Sequence, residues 1–427
     1  MNKQRLFVAS AISLLTTSMV FAIRGDIEGS LSAAFHLSKE QVGFIWGPAF
    51  WGFTIAIFVA GAIVDFVGMK ALHALSAVGF IGGTALVLVA PHPTAAVDSI
   101  FSSTGTTMLY VGFLLMGLSQ GLVEGVINPL IATIYSDEKT KRLNMLHAFW
   151  PFGLIVGGLV ALVLTQMDAS WQVKLATIIV PSVIYLVMVA TGEYPKTERV
   201  VSNISTGEMF KAGMHPLFFL LFATMWLTAA TELGPDQWFP SMMKQLTGLE
   251  GIMFLMYTAG LMFVLRFFFG GVAHRLSPFV TLAGSSVLCA LGLFWLGSLG
   301  EGTPAVVAFA AATVFGVGKT YLWPTMLGVT SERFPKGGAL LMNIIGGVGM
   351  LSIAIVLPVM GAKFDALGAG PALQSVAWLP VVLFFVFGAV ALYFRSKGGY
   401  RPLSLDAGEV GMAQGEKAPV YGQQHSH

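Results

Sequence analysis

Residues 108–135 read MLYVGFLLMGLSQGLVEGVINPLIATIY: 28 residues whose only charge is Glu124. A helix rises about 1.5 Å per residue, so about twenty apolar residues cross a hydrocarbon core, and helices buried in soluble cores are usually shorter. The stretch predicts a transmembrane helix with one acid near its middle. Working outward, similar runs recur along the chain, giving twelve predicted spans at 6–33, 42–64, 71–90, 107–135, 146–166, 173–192, 215–244, 251–273, 279–299, 305–329, 339–361 and 376–394. The expected fold is therefore all-α, a polytopic membrane protein of twelve transmembrane helices in two pseudo-symmetric six-helix bundles.

Composition agrees: 56 % of the 427 residues are hydrophobic and 10 % charged, against roughly a quarter charged in soluble domains. The net charge of +2 comes without a basic cluster interleaved with aromatics, so no nucleic-acid partner is implied. The single cysteine, Cys289, lies in an apolar run and has no intrachain disulfide partner. Lys3 and Arg5 precede the first apolar run as in a signal peptide, but the run is too long and lacks a small-residue cleavage pattern, so it reads as a retained helix. Sixteen of the 23 Lys and Arg fall in loops on the side of the termini. The opposite side has only Lys39, Lys174, Lys244 and Lys363. Positive residues are retained in the cytoplasm, which places both termini there and the protein in a plasma membrane, the inner membrane of a bacterium.

The longest internal hydrophilic stretch, Glu193 to Met214, divides the spans six and six. The expected organisation is an N-terminal half over 1–192, a cytoplasmic linker over 193–214, a C-terminal half over 215–394 and a disordered cytoplasmic tail over 395–427, too poor in apolar residues to order itself. Arg24, Arg266 and Lys319 are the basic residues within or bordering spans. Arg266 is about two turns from the end of its span and reads as snorkelling to the headgroups.

A short internal repeat relates Pro129 to Ser136 and Pro324 to Ser331, and five residues before each proline stand Glu124 and Lys319. In parallel repeats related by an axis along the membrane normal, the two would line opposite walls of one cavity. A charge at midplane costs roughly 2.5–3.5 kcal/mol on the insertion scale, so it faces water, a partner or a substrate. Glu124 shares a helix face with Gln120 and Asn128, at spacings of four. One reading makes this stripe functional; the other makes Glu124 and Lys319 a permanent ion pair joining the halves. The first span adds Arg24 and Asp26. The seventh adds Glu232, Gln237 and Trp238 around Gly234-Pro235, a pair expected to break the helix beside a binding site. His147 and Trp150, three apart, offer either a stacking surface or packing, and Trp323 and Asn343 complete the candidate substrate contacts. Neither a zinc motif nor a nucleophile elbow nor a nucleotide-binding loop is present. No enzyme activity, metal, cofactor or direct ATP drive is therefore expected.

The run Gly61-Ala-Ile-Val-Asp65-Phe-Val-Gly68-Met-Lys70 resembles the loop signature of the major facilitator superfamily. Phe66 and Met69 stand where the family has arginines, and Gly270 to Arg275 is a weaker counterpart in the second half. The resemblance implies a gating loop built on Gly61, Asp65 and Gly68. Glu124-Gly-Val-Ile-Asn128-Pro129 with Arg142-Leu143-Asn144 and His147 to Gly153, and in the second half Trp323-Pro324-Thr325, Ile344 to Gly347 and Pro358 to Gly361, resemble the fucose permease group of proton-coupled sugar symporters. That likeness implies proton coupling and sugar binding at Glu124 and, with a one-residue shift, at Asp26. It also implies a monomer. Lys319 is outside that pattern. A nearby cation would hold Glu124 ionised, so the pair would have to separate during transport if Glu124 is to carry a proton. Otherwise the protein would be a uniporter. The sequence thus predicts a secondary transporter of a small polar solute, a monosaccharide, by alternating access with proton symport. A sugar uniporter, or a carrier or exporter of an organic anion held by Arg24 and Lys319, are the alternatives. Small solute, proton and bilayer are the expected partners.

Overall fold

The computed structural model describes residues 2–135, 142, 145–196, 206–275, 277–334, 337–401 and 403. Its secondary structure is helical, with no strand among these residues. The first half comprises α1 (Lys3–Asp26), α2 (Glu28–Phe35), α3 (Lys39–Val67), α4 (Met69–Leu88), α5 (Thr104–Ile134), α6 (Phe149–Gln166), α7 (Trp171–Ala176) and α8 (Ile179–Ala190). A short α9 (Thr206–Ala212) precedes the second half. That half comprises α10 (Pro216–Thr247), α11 (Ile252–Arg275), α12 (Pro278–Gly297), α13 (Ala305–Lys319), α14 (Leu322–Arg333), α15 (Gly338–Leu367), α16 (Ala369–Val376) and α17 (Trp378–Ser396). Eleven stretches are long and apolar enough to cross a bilayer, and α11 supplies the twelfth crossing, with the shorter apolar stretch Ile252–Arg266. An even number of crossings brings the first and last helices to one end of the bundle, called here the terminal end; the other is the far end.

Helix boundaries follow local chemistry. Ser38 caps α3 by accepting from Gln41 N while the Gln41 side chain accepts from Ser38 N, a reciprocal capping box. α3 and α15 both stop at a glycine with positive φ, Gly68 at 88° and Gly368 at 86°. That conformation strains any residue with a Cβ, and the next helix begins at the following residue in each case. Helix–helix contacts use small residues, as expected where lipid leaves no hydrophobic drive between helices. Gly117, Gly121 and Gly125 form one face of α5 that lies directly on Ala49, Phe53 and Ala60 of α3.

The halves meet along α3 and α15, which run antiparallel. At the far end Gly43 lies so close to Leu357 and Pro358 that a Cβ would come within 2.6 Å of the Leu357 carbonyl oxygen. Gly361 lies against the Lys39 and Glu40 backbone. Towards the terminal end, Thr54 donates to the Gly347 carbonyl at 2.5 Å, and Gly61 faces the Asn343 amide.

The expectation of a broken seventh span is corrected. α10 runs unbroken through Gly234, Pro235 and Pro240. The interruption lies instead in the tenth span, at Thr320 and Tyr321 between α13 and α14. Pro324 explains it: with no N–H, it cannot bond the Thr320 carbonyl one turn back. Arg266 donates from Nε to that carbonyl at 2.9 Å, and its guanidinium approaches Glu232 at 3.7 Å. Arg266 therefore closes the break instead of snorkelling to the headgroups. The disordered tail predicted over 395–427 lies, from residue 404, outside the described residues.

Candidate substrate and coupling site

Three groups of polar side chains occupy the spans. On α5, Gln120 is buried while Glu124 and Asn128 are part-exposed. Asn128 donates from Nδ2 to Glu124 Oε2 at 2.9 Å, and its Oδ1 lies 2.9 Å from His147 Nε2. An amide oxygen only accepts, so His147 carries its proton on Nε2. The stripe read from sequence is thus a connected carboxylate–amide–imidazole chain, with no Lys or Arg paired to Glu124 among the described residues. Trp150 reaches towards the first span, its ring 6.3 Å from that of Phe21.

The second group belongs to the C-terminal half. Lys319 is fully buried and donates to both oxygens of Asp236, at 2.6 and 2.5 Å, and to Thr258 at 3.1 Å. The permanent Glu124–Lys319 pair is therefore not what the structure contains. The partner of Lys319 is the acid of a neighbouring helix in its own half. Glu232, one turn before Asp236, pairs with Arg266 and keeps Oε2 without a hydrogen-bond donor. Trp323, part-exposed, packs its ring against Gly346 and Gly349 of α15.

The third group joins the halves. The Arg24 guanidinium is fully buried, and Nε and Nη2 both donate to Gln237 Oε1, at 2.9 and 2.6 Å. Gln237 in turn donates from Nε2 to the Phe21 carbonyl at 3.2 Å. Phe50, Phe21 and Trp46 surround the guanidinium at 4.8, 5.6 and 5.9 Å from ring centroid to Cζ. The Trp238 ring lies 5.5 Å from that of Trp46. Arg24 Nη1 and the indole N–H groups of Trp46 and Trp238 have no acceptor. Asp26 is separate from all three groups, bound by Lys174 at 2.8 Å, which also donates to Thr165 at 2.7 Å.

Of the expected gating loop, Gly61 and Gly68 are placed as described above; the Asp65 side chain, Leu143, Asn144 and the side chains of 270–275 lie outside the described residues. A residue that the sequence reading missed is Asp365. Its carboxylate accepts from the backbone N–H of Lys39 at 3.1 Å and of Glu40 at 3.0 Å, so an acid from the end of α15 caps the start of α3 in the other half. Beside it Lys39 pairs with Glu28 at 2.6 Å. The signal was present: Gly361-Ala-Lys-Phe-Asp365-Ala-Leu-Gly368 repeats the glycines, alanine and aspartate of Gly61-Ala-Ile-Val-Asp65-Phe-Val-Gly68.

Comparison with known proteins gives a consistent result. A Buchnera aphidicola protein TsgA homolog is 21 % identical over 250 residues, 58 % of this chain and 60 % of that protein, so the chain spans about three-fifths of the length of these relatives. The human voltage-gated purine nucleotide uniporter SLC17A9 is 24 % identical over 163 residues, 37 % of this chain and 35 % of that protein. The fold is similar to that of the Escherichia coli xylose transporter XylE in a partially occluded inward-open conformation, with TM-score 0.72 and 15 % identity over 91 % of this chain and 97 % of that one. It is also similar to that of the nucleoside transporter NupG, with TM-score 0.70 and 14 % identity over 91 % and 99 %. At such identities the structures speak to fold alone. The sequence profile described as Major Facilitator Superfamily matches residues 6–338, most of the chain. With its helical, membrane-spanning fold, this chain belongs to the Major Facilitator Superfamily.

Proposed function

We propose that the protein is a secondary transporter that moves a small polar solute of monosaccharide size by alternating access, with proton symport through Glu124. The observation that carries this reading is the α5 carboxylate: part-exposed, held by Asn128, which is itself held by His147, and without a cation among the described residues. A carboxylate held by neutral donors can take up a proton without leaving a buried cation unpaired, whereas a salt-bridged one cannot. The pairing of Lys319 with Asp236 supports it by removing the cation that would have kept Glu124 ionised. It also takes one of the two cations from the alternative in which Arg24 and Lys319 jointly hold an organic anion. Part-exposed Trp150 and Trp323 offer faces on which a sugar ring could stack.

The far-end contacts support a conformation closed at that end, the solute reaching Glu124 from the terminal end. The excess of Lys and Arg in terminal-end loops makes that end cytoplasmic, in a plasma membrane, with a monomer as the working unit. The test is uptake of labelled hexoses and hexuronates into proteoliposomes with and without a proton gradient directed into the vesicles, for the parent and Glu124→Gln. Gradient-driven accumulation lost in the variant with exchange retained supports symport. Gradient-independent equilibration in both refutes it and leaves a uniporter.

A further inference from the structure

Arg24 has an uncommitted edge. A guanidinium presents a side edge, Nε–H with one Nη2–H, and an end edge, Nη1–H with the outer Nη2–H. Gln237 occupies the side edge with a single oxygen. The end edge has the fork geometry that matches a carboxylate, and Nη1 is fully buried with no acceptor. Two more donors without acceptors are the indole N–H groups of Trp46, whose ring lies beside the guanidinium, and of Trp238, whose ring lies 5.5 Å from that of Trp46. The local inventory is thus donor-rich and acceptor-poor, the reverse of what a neutral polar solute with balanced hydroxyls requires.

Depth agrees. Phe50, the ring nearest the guanidinium, stands eleven residues into α3, about 16 Å from the far end of that helix. That is near half-depth in a core about 30 Å thick. Charge agrees too. Asp26, Glu28, Glu232 and Asp236 each have a cationic partner. Among the described residues inside the spans predicted from sequence, which leave out the charged helix ends, Arg24 and Glu124 are the charged groups with none. A solute carboxylate on Arg24 and a proton on Glu124 would leave the loaded carrier without an unpaired interior charge, whereas a neutral sugar would leave the Arg24 cation bare in the membrane.

We infer that Arg24 seats the carboxylate of an anionic solute, with Trp46 and Trp238 as further donors, so that the substrate is a sugar acid such as a hexuronate and not a neutral hexose. The sugar rests on the transport reading proposed above; the carboxylate rests on the surroundings of Arg24.

The experiment is isothermal titration of the full-length protein in detergent with D-galacturonate, D-galactose and galactose 1-phosphate. Galacturonate should bind saturably and galactose at least about tenfold more weakly. Arg24→Gln should weaken galacturonate binding by about tenfold or more, to the level of galactose. Trp46→Phe and Trp238→Phe keep the rings and delete the N–H. Each should weaken galacturonate about three- to tenfold and leave galactose unchanged, which covers the case in which Arg24→Gln does not fold. Equal affinity for galactose and galacturonate, tighter binding of the phosphate ester, no saturable binding of any of the three, or galacturonate affinity unmoved in Arg24→Gln or in both Trp variants overturns the assignment. Uptake into proteoliposomes separates the two readings. Galacturonate bound but not transported refutes transport and keeps the seat; proton-driven galactose uptake indifferent to Arg24→Gln keeps transport and removes the seat.

Discussion

Asp365→Ala should shift the protein towards a conformation open at the far end. The carboxylate accepts two backbone N–H groups at the start of a helix in the other half. Losing a helix-capping acceptor costs about 1 kcal/mol, within a range of about 0.5–2, and losing an anion from the positive end of the helix dipole costs about 0.3–1 kcal/mol more at an exposed site. When the halves separate at this end, α3 keeps its own cap from Ser38 and Gln41, so the loss falls on the closed state alone. About 1.5 kcal/mol of differential stabilisation corresponds to a population shift of roughly tenfold. The assay is pulsed electron–electron distance measurement between spin labels at Ser99→Cys and Glu301→Cys, far-end loop residues of the two halves, in a Cys289→Ser background. The long-distance fraction should rise about tenfold in Asp365→Ala and by less in Asp365→Asn, which keeps one acceptor oxygen. A distribution unchanged within about twofold would refute the reasoning.

Lys319→Ala leaves the buried Asp236 carboxylate uncompensated, a cost of about 3–5 kcal/mol. The thermal midpoint in detergent should fall sharply and recover substantially in the double variant Lys319→Met/Asp236→Leu; a double variant no more stable than the single would count against the pairing. Arg266→Gln should destabilise by about 1–3 kcal/mol through the freed Thr320 carbonyl and the bereft Glu232, and Pro324→Ala, which restores a donor, should rescue part of that loss in the same melt. Gly121→Val pushes a branched side chain into the Phe53 backbone and should cost about 1–3 kcal/mol, seen as lower yield and midpoint with no change in solute selectivity. Asn128→Ala frees both Glu124 and His147 and should depress proton-driven uptake while leaving the stability within about 1 kcal/mol of the parent.

The spans were legible because twenty-residue apolar runs carry their own meaning; α5 was expected at 107–135 and forms at Thr104–Ile134. The stripe of Gln120, Glu124 and Asn128 was legible from the helical period alone. Partners across helices were not. Internal symmetry set Lys319 opposite Glu124, yet pairing depends on which helices touch, and Asp236 is brought to Lys319 by packing that no local pattern encodes. Gly234-Pro235 carried the residue types of a break, but α10 runs through it. Pro324 carried the same meaning and its break is real. Arg24 and Gln237 both stand out in the sequence as candidate contacts, but their bond across the halves, and the cage of Phe21, Trp46 and Phe50, require the assembled helices.

The far-end lock has an unusual mutational signature. Asp365 grips main-chain amides, and every amino acid except proline supplies one. Side-chain replacements at Lys39 and Glu40 therefore leave its acceptor contacts standing, while proline at either position deletes one outright. A random screen for variants stuck open at that end would be one-sided. Among the hits that act through this contact, it would return many different residues at 365 on one half, and on the other only proline at two adjacent codons.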